Sequence, residues 1–189
     1  MVDILSNLVS AFGLSASAGL NAYIPMLSVS LLGRFTSLVQ LEKPWDALTS
    51  WWIIGLLTVL LVVETLADKI PVVDSVNDVI QTIVRPTAGA VLFAATTQSA
   101  IHIHPVLALA CGVIMAGSVH IVKAGARPVL TAATSGTANP LISTLEDVLA
   151  IVTSFIAIIF PYLIVIWVLL LALLVYLIAR RRRERAVTG

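Results

Sequence analysis

The run Trp51 to Val63, WWIIGLLTVLLVV, ends directly on Glu64, and the following turns bring Asp68, Lys69, Asp74 and Asp78. A stretch of this composition belongs in hydrocarbon, which puts Glu64 near the lipid boundary and one turn before Asp68. A charge at such depth is costly and faces a bundle interior, a cavity or a partner charge. No other feature constrains the fold as strongly. It demands a membrane-embedded bundle that can enclose charged groups at one end.

Composition agrees with that demand. Apolar residues make up 59% of the chain and charged residues 11%, with mean hydropathy +1.06. Soluble domains carry roughly 45–50% apolar and about 25% charged residues. A length of 189 residues leaves room for one helical bundle and no separate soluble domain. Residues 1–179 are expected to form a single transmembrane domain, and 180–189 a basic cytoplasmic tail holding Arg180 to Arg183 and Arg185. The single cysteine, Cys111, lies in the apolar run VLALACGVIMAG without an intrachain partner, and reads as a small buried hydrophobe. The small residues of LVSAFGLSASA imitate a secretion signal, but Asp3 stands where a basic segment is required, so a retained first span is expected.

A bilayer core about 30 Å thick needs about 17 to 20 apolar residues per helix. The expected fold is all-α, a polytopic bundle of about six spans: Ile4–Leu32, Leu48–Ala67, Pro86–Ile101, Val106–Val122, Leu145–Phe160 and Tyr162–Ala179. Pro86 suits a first helical turn. Ser143-Thr-Leu-Glu146 reads as a capping box opening the fifth span. Leu145 to Ala179 as one helix would be about 52 Å long, so a break is expected at Phe160-Pro161-Tyr162. Residues 70–85 form an amphipathic segment, with Val72, Val76, Val79, Ile80 and Ile83 on one face, expected on the cytoplasmic surface or under the bundle.

Basic residues near span ends set orientation. With the terminal arginines inside and six spans, Lys69, Arg85, Lys123 and Arg127 also fall inside, leaving Arg34 and Lys43 outside. Both termini are then cytoplasmic, in a cell (inner or plasma) membrane. Six short helices enclose little interior, which suggests a homo-oligomer in the lipid bilayer.

Glycine, asparagine and proline interrupt apolar sequence twice, at Ser17 to Pro25 and between Ala124 and Pro140. Three spans separate the two regions, the arrangement of an inverted repeat, and paired interruptions point to a transport site. Close helix packing explains Gly13, Ala16, Gly19, Gly112, Ala116 and Gly117 equally well. It explains Asn21, Asn139 and the prolines less well, because backbone breaks at lipid depth need protein or water partners.

GLNAYIPML at Gly19–Leu27, ETLADKIPVVDSVNDVI at Glu64–Ile80, RPTAGA at Arg85–Ala90 and SGTANPLISTLEDV at Ser135–Val148 resemble a bacterial integral-membrane family of unknown function. The similarity spans nearly the whole chain. It implies a small multi-pass membrane protein and no particular reaction.

The chemistry then rests on the residues. Asp68, Asp74 and Asp78 are grouped as oxygen ligands for Mg²⁺ or Ca²⁺ would be, but an ion-pair network with Lys69, Arg85, Lys123 and Arg127 is the stronger reading, and Asp68 and Arg85 are expected to share it. His102 and His104 read as a solvated turn rather than a metal site. His120 and Lys123 suit the C-terminal turn of the fourth span. No nucleophile motif, phosphate loop or zinc-protease motif is present. No metal or cofactor is implied, and nucleic-acid binding has no support beyond the terminal arginines. The leading expectation is a small transporter or channel for an unidentified solute. Asn21, Tyr23 and Asn139 would converge on the solute path, and Glu64 and Asp68 would gate it or couple it to protons. A structural or lipid-interacting protein is the alternative. An intramembrane enzyme built from Glu64, Asp68 and His120 ranks third.

Overall fold

A computed structural model describes residues 2–68, 71–98, 103–134, 137–170 and 173. Among them all regular structure is helical, and the fold is an all-α bundle. The helices are α1 (Val2–Leu20), α2 (Tyr23–Phe35), α3 (Trp51–Ala67), α4 (Pro71–Gln98), α5 (Pro105–Thr134), α6 (Asn139–Ile159) and α7 (Pro161–Leu170), with a 3-10 turn at Trp45–Thr49. Val79–Gln98 of α4, α5 and α6 are each long and apolar enough to cross a membrane by length and composition. Ile4–Leu20, α3 and α7 are shorter apolar helices. These helices mark a membrane protein.

Contacts fix the direction of each helix. Phe12 meets Phe93 edge-on at 4.9 Å between ring centroids, and Ser15 Oγ donates to the Gly89 carbonyl at 2.9 Å, so α1 is antiparallel to α4. Glu64 reaches Arg85 and Asp68 reaches Asn77, so α3 is antiparallel to α4 as well. Arg34 and Phe35 lie against Trp51, whereas Tyr23 lies beside Glu64; α2 is therefore antiparallel to α3 and parallel to α4. It follows that α1 and α2 form a hairpin.

This corrects the single interrupted span expected over Ile4–Leu32. The helix runs unbroken through Ser15–Gly19, and Pro25 sits inside the first turn of α2, where no intrahelical donor is lost. The reversal occurs at Asn21–Ala22. Asn21 Oδ1 accepts the N–H groups of Tyr23 at 3.0 Å and Ile24 at 3.1 Å, which opens α2 locally. At the other end α7 folds back on α6, with Trp167 Nε1 donating to Thr153 Oγ1 at 3.1 Å. The hairpin adds one reversal to the expected count. The start of α1 and the forward course of α7 therefore point to opposite ends of the bundle, not to the same end.

Three further boundaries differ from expectation. The amphipathic segment is no separate surface element: it is the first half of α4, 28 residues and about 42 Å long, with Pro86 in its interior. Likewise α5 continues through Ala124 to Pro128 and on to Thr134. The second interruption thus shrinks to the turn at Thr137–Ala138, Ser135 and Gly136 lying outside the described residues. The two interruptions are unlike in kind, and the resemblance to an inverted repeat loses its footing. Finally, α6 opens at Asn139 rather than Leu145, because Ser143 donates to Asp68 Oδ2 at 2.8 Å instead of capping a helix. The break at Phe160 is present, with φ −130° and ψ 64°.

Helices α1, α4, α5 and α6 form a tight core. Lipid gives no hydrophobic drive between helices, so close approach and interhelical hydrogen bonds hold them. A Cβ on Gly112 would lie 2.6 Å from Ala90 Cα, and one on Gly19 would lie 2.5 Å from the Ala116 carbonyl oxygen. Ser17 Oγ bridges to Ser154 Oγ and the Ala150 carbonyl, both at 2.8 Å, and Ser10 Oγ reaches the Ala157 carbonyl at 2.6 Å. Gly117 has room, its nearest neighbour being Pro86 Cγ at 3.9 Å. In contrast, the 3-10 turn and α3 pack chiefly on α2 and on one another and form a more loosely attached arm, whereas α2 also packs on α1 and α6.

Two outcomes follow. Gly112→Ala overpacks a backbone crossing and should cost about 1–3 kcal/mol of stability in detergent, while Gly55→Ala, which meets open space, should cost nothing measurable. On a Cys111→Ser background, Ile4→Cys and Leu38→Cys should be labelled from the same side of the membrane, and Thr137→Cys from the other. Labelling of Ile4→Cys together with Thr137→Cys would restore a single first span.

Candidate functional site

Polar residues recur on one face of α3, α4, α5 and α6 at the same end of the bundle. Glu64 and Asp68 on α3 and Gln81 and Arg85 on α4 are four apart. His120, Lys123 and Arg127 on α5, and Ser143, Glu146 and Asp147 on α6, follow spacings of three and four. Such spacings align side chains along a helix. The hairpin apex at Leu20–Tyr23 inserts among them.

Two linked groups result. In the first, Arg85, fully buried, donates from Nη2 to Glu64 Oε1 at 3.1 Å and from Nη1 toward His120 Nδ1 at 3.2 Å. A guanidinium only donates, so His120 Nδ1 accepts and Nε2 carries the proton, which goes to Thr82 Oγ1 at 3.1 Å. In the second, Lys123 Nζ meets Glu146 Oε2 at 2.8 Å and caps the terminal carbonyl of α1, Leu20 O, at 2.9 Å. Arg127 Nη2 lies 3.0 Å from Glu146 Oε2 and 3.7 Å from Asp68 Oδ2. Asp68 also accepts from Asn77 Nδ2 at 2.9 Å and from Ser143. Beside both, Asn21 Nδ2 donates to Asp147 Oδ1 at 2.9 Å.

The depth of this centre is set by what surrounds it. Val63 and Leu66 on α3, Val79, Ile80 and Ile83 on α4, Ile121 and Val122 on α5, and Leu141 and Leu145 on α6 all point outward, exposed, at the level of the charges. A belt of exposed aliphatic side chains marks a face covered by lipid or by a partner protein. Lipid coverage at this level would put the charges inside the hydrocarbon belt, enclosed by their own helices.

Among the described residues, four buried side-chain atoms have no hydrogen-bond partner: Glu64 Oε2, Arg85 Nε, Gln81 Oε1 and Ser30 Oγ. The first three belong to neighbouring side chains, with the Tyr23 hydroxyl beside Gln81 and Glu64. Ser30 lies seven residues beyond Tyr23 on α2, hence on the same face and about 10 Å further along. Unpartnered polar atoms in a membrane interior are rare, and each calls for a physical explanation such as a bound water, ion or solute.

The pairing differs from expectation. Arg85 takes Glu64, which lacks a cation near it in sequence, and Asp68 takes Arg127. The α4 arginine sits level with the turn of α3 that carries Glu64, and Asp68 lies one turn lower, opposite α5. Lys123 and Arg127 join through Glu146. Lys69 lies outside the described residues, as do the side chains of Asp74 and Asp78. Asn21 and Asn139 do not meet. Asn139 accepts from Thr131 Oγ1 at 3.1 Å across the α5–α6 turn, whereas Asn21 meets α6 at Asp147, eight residues and about 12 Å further along. Sequence reasoning missed Ser30, Gln81, Glu146 and Asp147. Gln81 was legible as the residue four before Arg85, on the polar face opposite Val79, Ile80 and Ile83; Ser30 offered only its spacing from Tyr23.

A model of one protein family matches residues 8–181. The chain belongs to the family described as Domain of unknown function (DUF4126). No curated protein and no solved structure matches it. Every member of the buried centre falls within the DUF4126 region, so the centre is part of the domain itself and not of a terminal extension.

Breaking a buried ion pair from one side strands a charge and costs about 3–5 kcal/mol, whereas removing both partners costs less. Glu64→Gln and Arg85→Gln should each lower thermal stability in detergent by more than the double variant does. Asp68→Asn with Arg85→Gln should be closer to additive, because these two side chains do not pair directly. Equal additivity in both cycles would show that the Glu64–Arg85 contact carries no coupling.

Proposed function

We propose that this chain is a small membrane transporter or channel whose solute path follows the inner face of α2 past the buried polar centre. The observation that carries this reading is the row of unpartnered buried atoms, from Gln81 Oε1, Glu64 Oε2 and Arg85 Nε to Ser30 Oγ. A protein that used its charges only as a clasp would gain stability by replacing such atoms with apolar groups, since each unbonded buried group costs about 1–3 kcal/mol. Retained at lipid depth, they are suited to bonding a passing solute.

Roles follow from the bonds. Tyr23, Ser30 and Gln81 line the path. Glu64, with one oxygen paired and the other unpaired, is the group suited to coupling, by giving and taking a proton. Asp68 is tied to Arg127, Asn77 and Ser143, and suits a gate that holds α3 to the core. Asn21 shapes the break, its carbonyl opening α2 and its amide holding Asp147; Asn139 holds the α5–α6 turn. The discontinuous α1–α2 hairpin, with one helix ending and another starting near the charged centre, is how many carriers build a site. We place the end bearing Arg85, Lys123 and Arg127 toward the cytoplasm of a cell membrane, where basic residues concentrate.

The alternative, a structural or lipid-interacting protein, draws on the same ion pairs as a clasp. One substitution separates the two. Ser30→Ala removes an unpartnered hydroxyl and should raise thermal stability under either reading, but only a transporter should lose flux. In reconstituted vesicles, flux of glycerol, urea, alanine and protons is the measurement, with Ser30→Leu and Gln81→Leu as blocking variants. Passage of at least one probe that both blocking variants reduce at least tenfold is expected. Folded protein that moves none of them would leave the clasp.

A further inference from the structure

At the end of the bundle opposite the charged centre lies a cavity of about 400 Å³, lined by Trp45, Thr97, Gln98, Ile103, His104 and Ala108 among others. Its floor is buried, Thr97 being 1% exposed, and its mouth is at the exposed His104 and Pro105. The Trp45 indole N–H donates to Gln98 Oε1, and Gln98 Nε2 donates to the Lys43 carbonyl at 3.0 Å. Residues 43 and 45 belong to the segment that leads into α3; Gln98 ends α4. These bonds therefore tie the arm to the core at this end. At the other end the arm is tied to the core by Glu64 with Arg85 and by Asp68 with Arg127, Ser143 and Asn77. Between the two sets α3 touches α4 only sparsely and makes its main contacts with α2 and the 3-10 turn. The chain thus has one arm, the 3-10 turn and α3, latched to the rest of the bundle at both ends.

We propose that the cavity beneath Trp45 is the second access chamber of the path, shut by the Trp45–Gln98 bond, and that it admits a small uncharged hydrogen-bonding solute. This rests on the transport reading above and adds its other mouth and its solute class. None of the residues lining the chamber is Asp, Glu, Lys or Arg; the polar groups offered are a hydroxyl, an amide, an imidazole and an indole. The volume is that of a small-molecule site. At the far end the unpartnered atoms are two acceptors (Glu64 Oε2 and Gln81 Oε1), one donor (Arg85 Nε) and a hydroxyl that can do either (Ser30 Oγ), a mixed set that suits a hydroxyl or amide group. Movement of the arm opens one latch while the other holds, and each latch biases the same two-state element.

Thr97→Cys on a Cys111→Ser background reports opening of the chamber, through its rate of labelling by a membrane-impermeant thiol reagent added on the chamber side. Trp45→Phe removes the indole donor and should raise that rate at least tenfold. Asp68→Asn loosens the opposite latch and should lower it. His104→Cys, at the exposed mouth, should label fast in every background and shows that the protein is folded and accessible. Unchanged Thr97→Cys labelling in both variants overturns the gate, whatever the flux. Changed labelling with no flux of any solute upholds the gate and overturns the transport reading. If vesicles pass potassium ions and not urea or glycerol, the solute class is wrong.

Discussion

A charge left alone in hydrocarbon is costly enough to dictate the architecture around it, and the Glu64–Arg85 pair is where this chain meets that cost. Glu64 reaches the interior only because α3 leans its last turns onto α4. Arg85 reaches it only because α4 extends as one helix through Pro86. Both charges are enclosed by helices whose outer faces are aliphatic at the same level, so neither meets lipid. The bundle is in this sense built around a polar centre and sealed by an apolar skin.

The same constraint accounts for the glycine and serine contacts elsewhere. To bring five polar faces together, α1, α4 and α5 approach backbone to backbone at Gly19, Gly89 and Gly112. Serine hydroxyls then bond across α1 and α6 to carbonyls that water would satisfy in a soluble protein. The hairpin apex becomes possible for a related reason. Lys123 takes the last carbonyl of α1, and Asn21 takes the first N–H groups of α2, so a chain reversal at membrane depth leaves those groups bonded. The charged centre and the hairpin support each other.

Much of this was legible in the sequence. Hydropathy identified the membrane class and the apolar segments, the cost of intramembrane charge singled out Glu64, Asp68 and Arg85, and Phe160-Pro161 marked a true break. What failed was direction and pairing. Residues Ile4–Leu32 read as one span because composition carries no sign of a reversal, and only the bonding of Asn21 reveals it. Pro86 and Pro128 read as boundaries because proline removes a donor, yet packed neighbours tolerate them inside long helices. Ser143-x-x-Glu146 matched a cap by spacing, while the bonds go to Asp68, Lys123 and Arg127. Partners such as Glu64 with Arg85 and Asp68 with Ser143, 21 and 75 residues apart in sequence, are set by tertiary packing, which periodicity does not encode.

The central claim is that the charged centre lies within the hydrocarbon belt, and its most direct test is collisional depth. Spin labels at Ile83 and Leu145, whose side chains point outward at the level of the charges, would be read in bilayers by relaxation with oxygen and with a water-soluble nickel complex. The account predicts high oxygen accessibility and near exclusion of the nickel complex at both positions. Free collision with the nickel complex would contradict it, placing the charged end in water and reducing the centre to an ordinary surface ion-pair network.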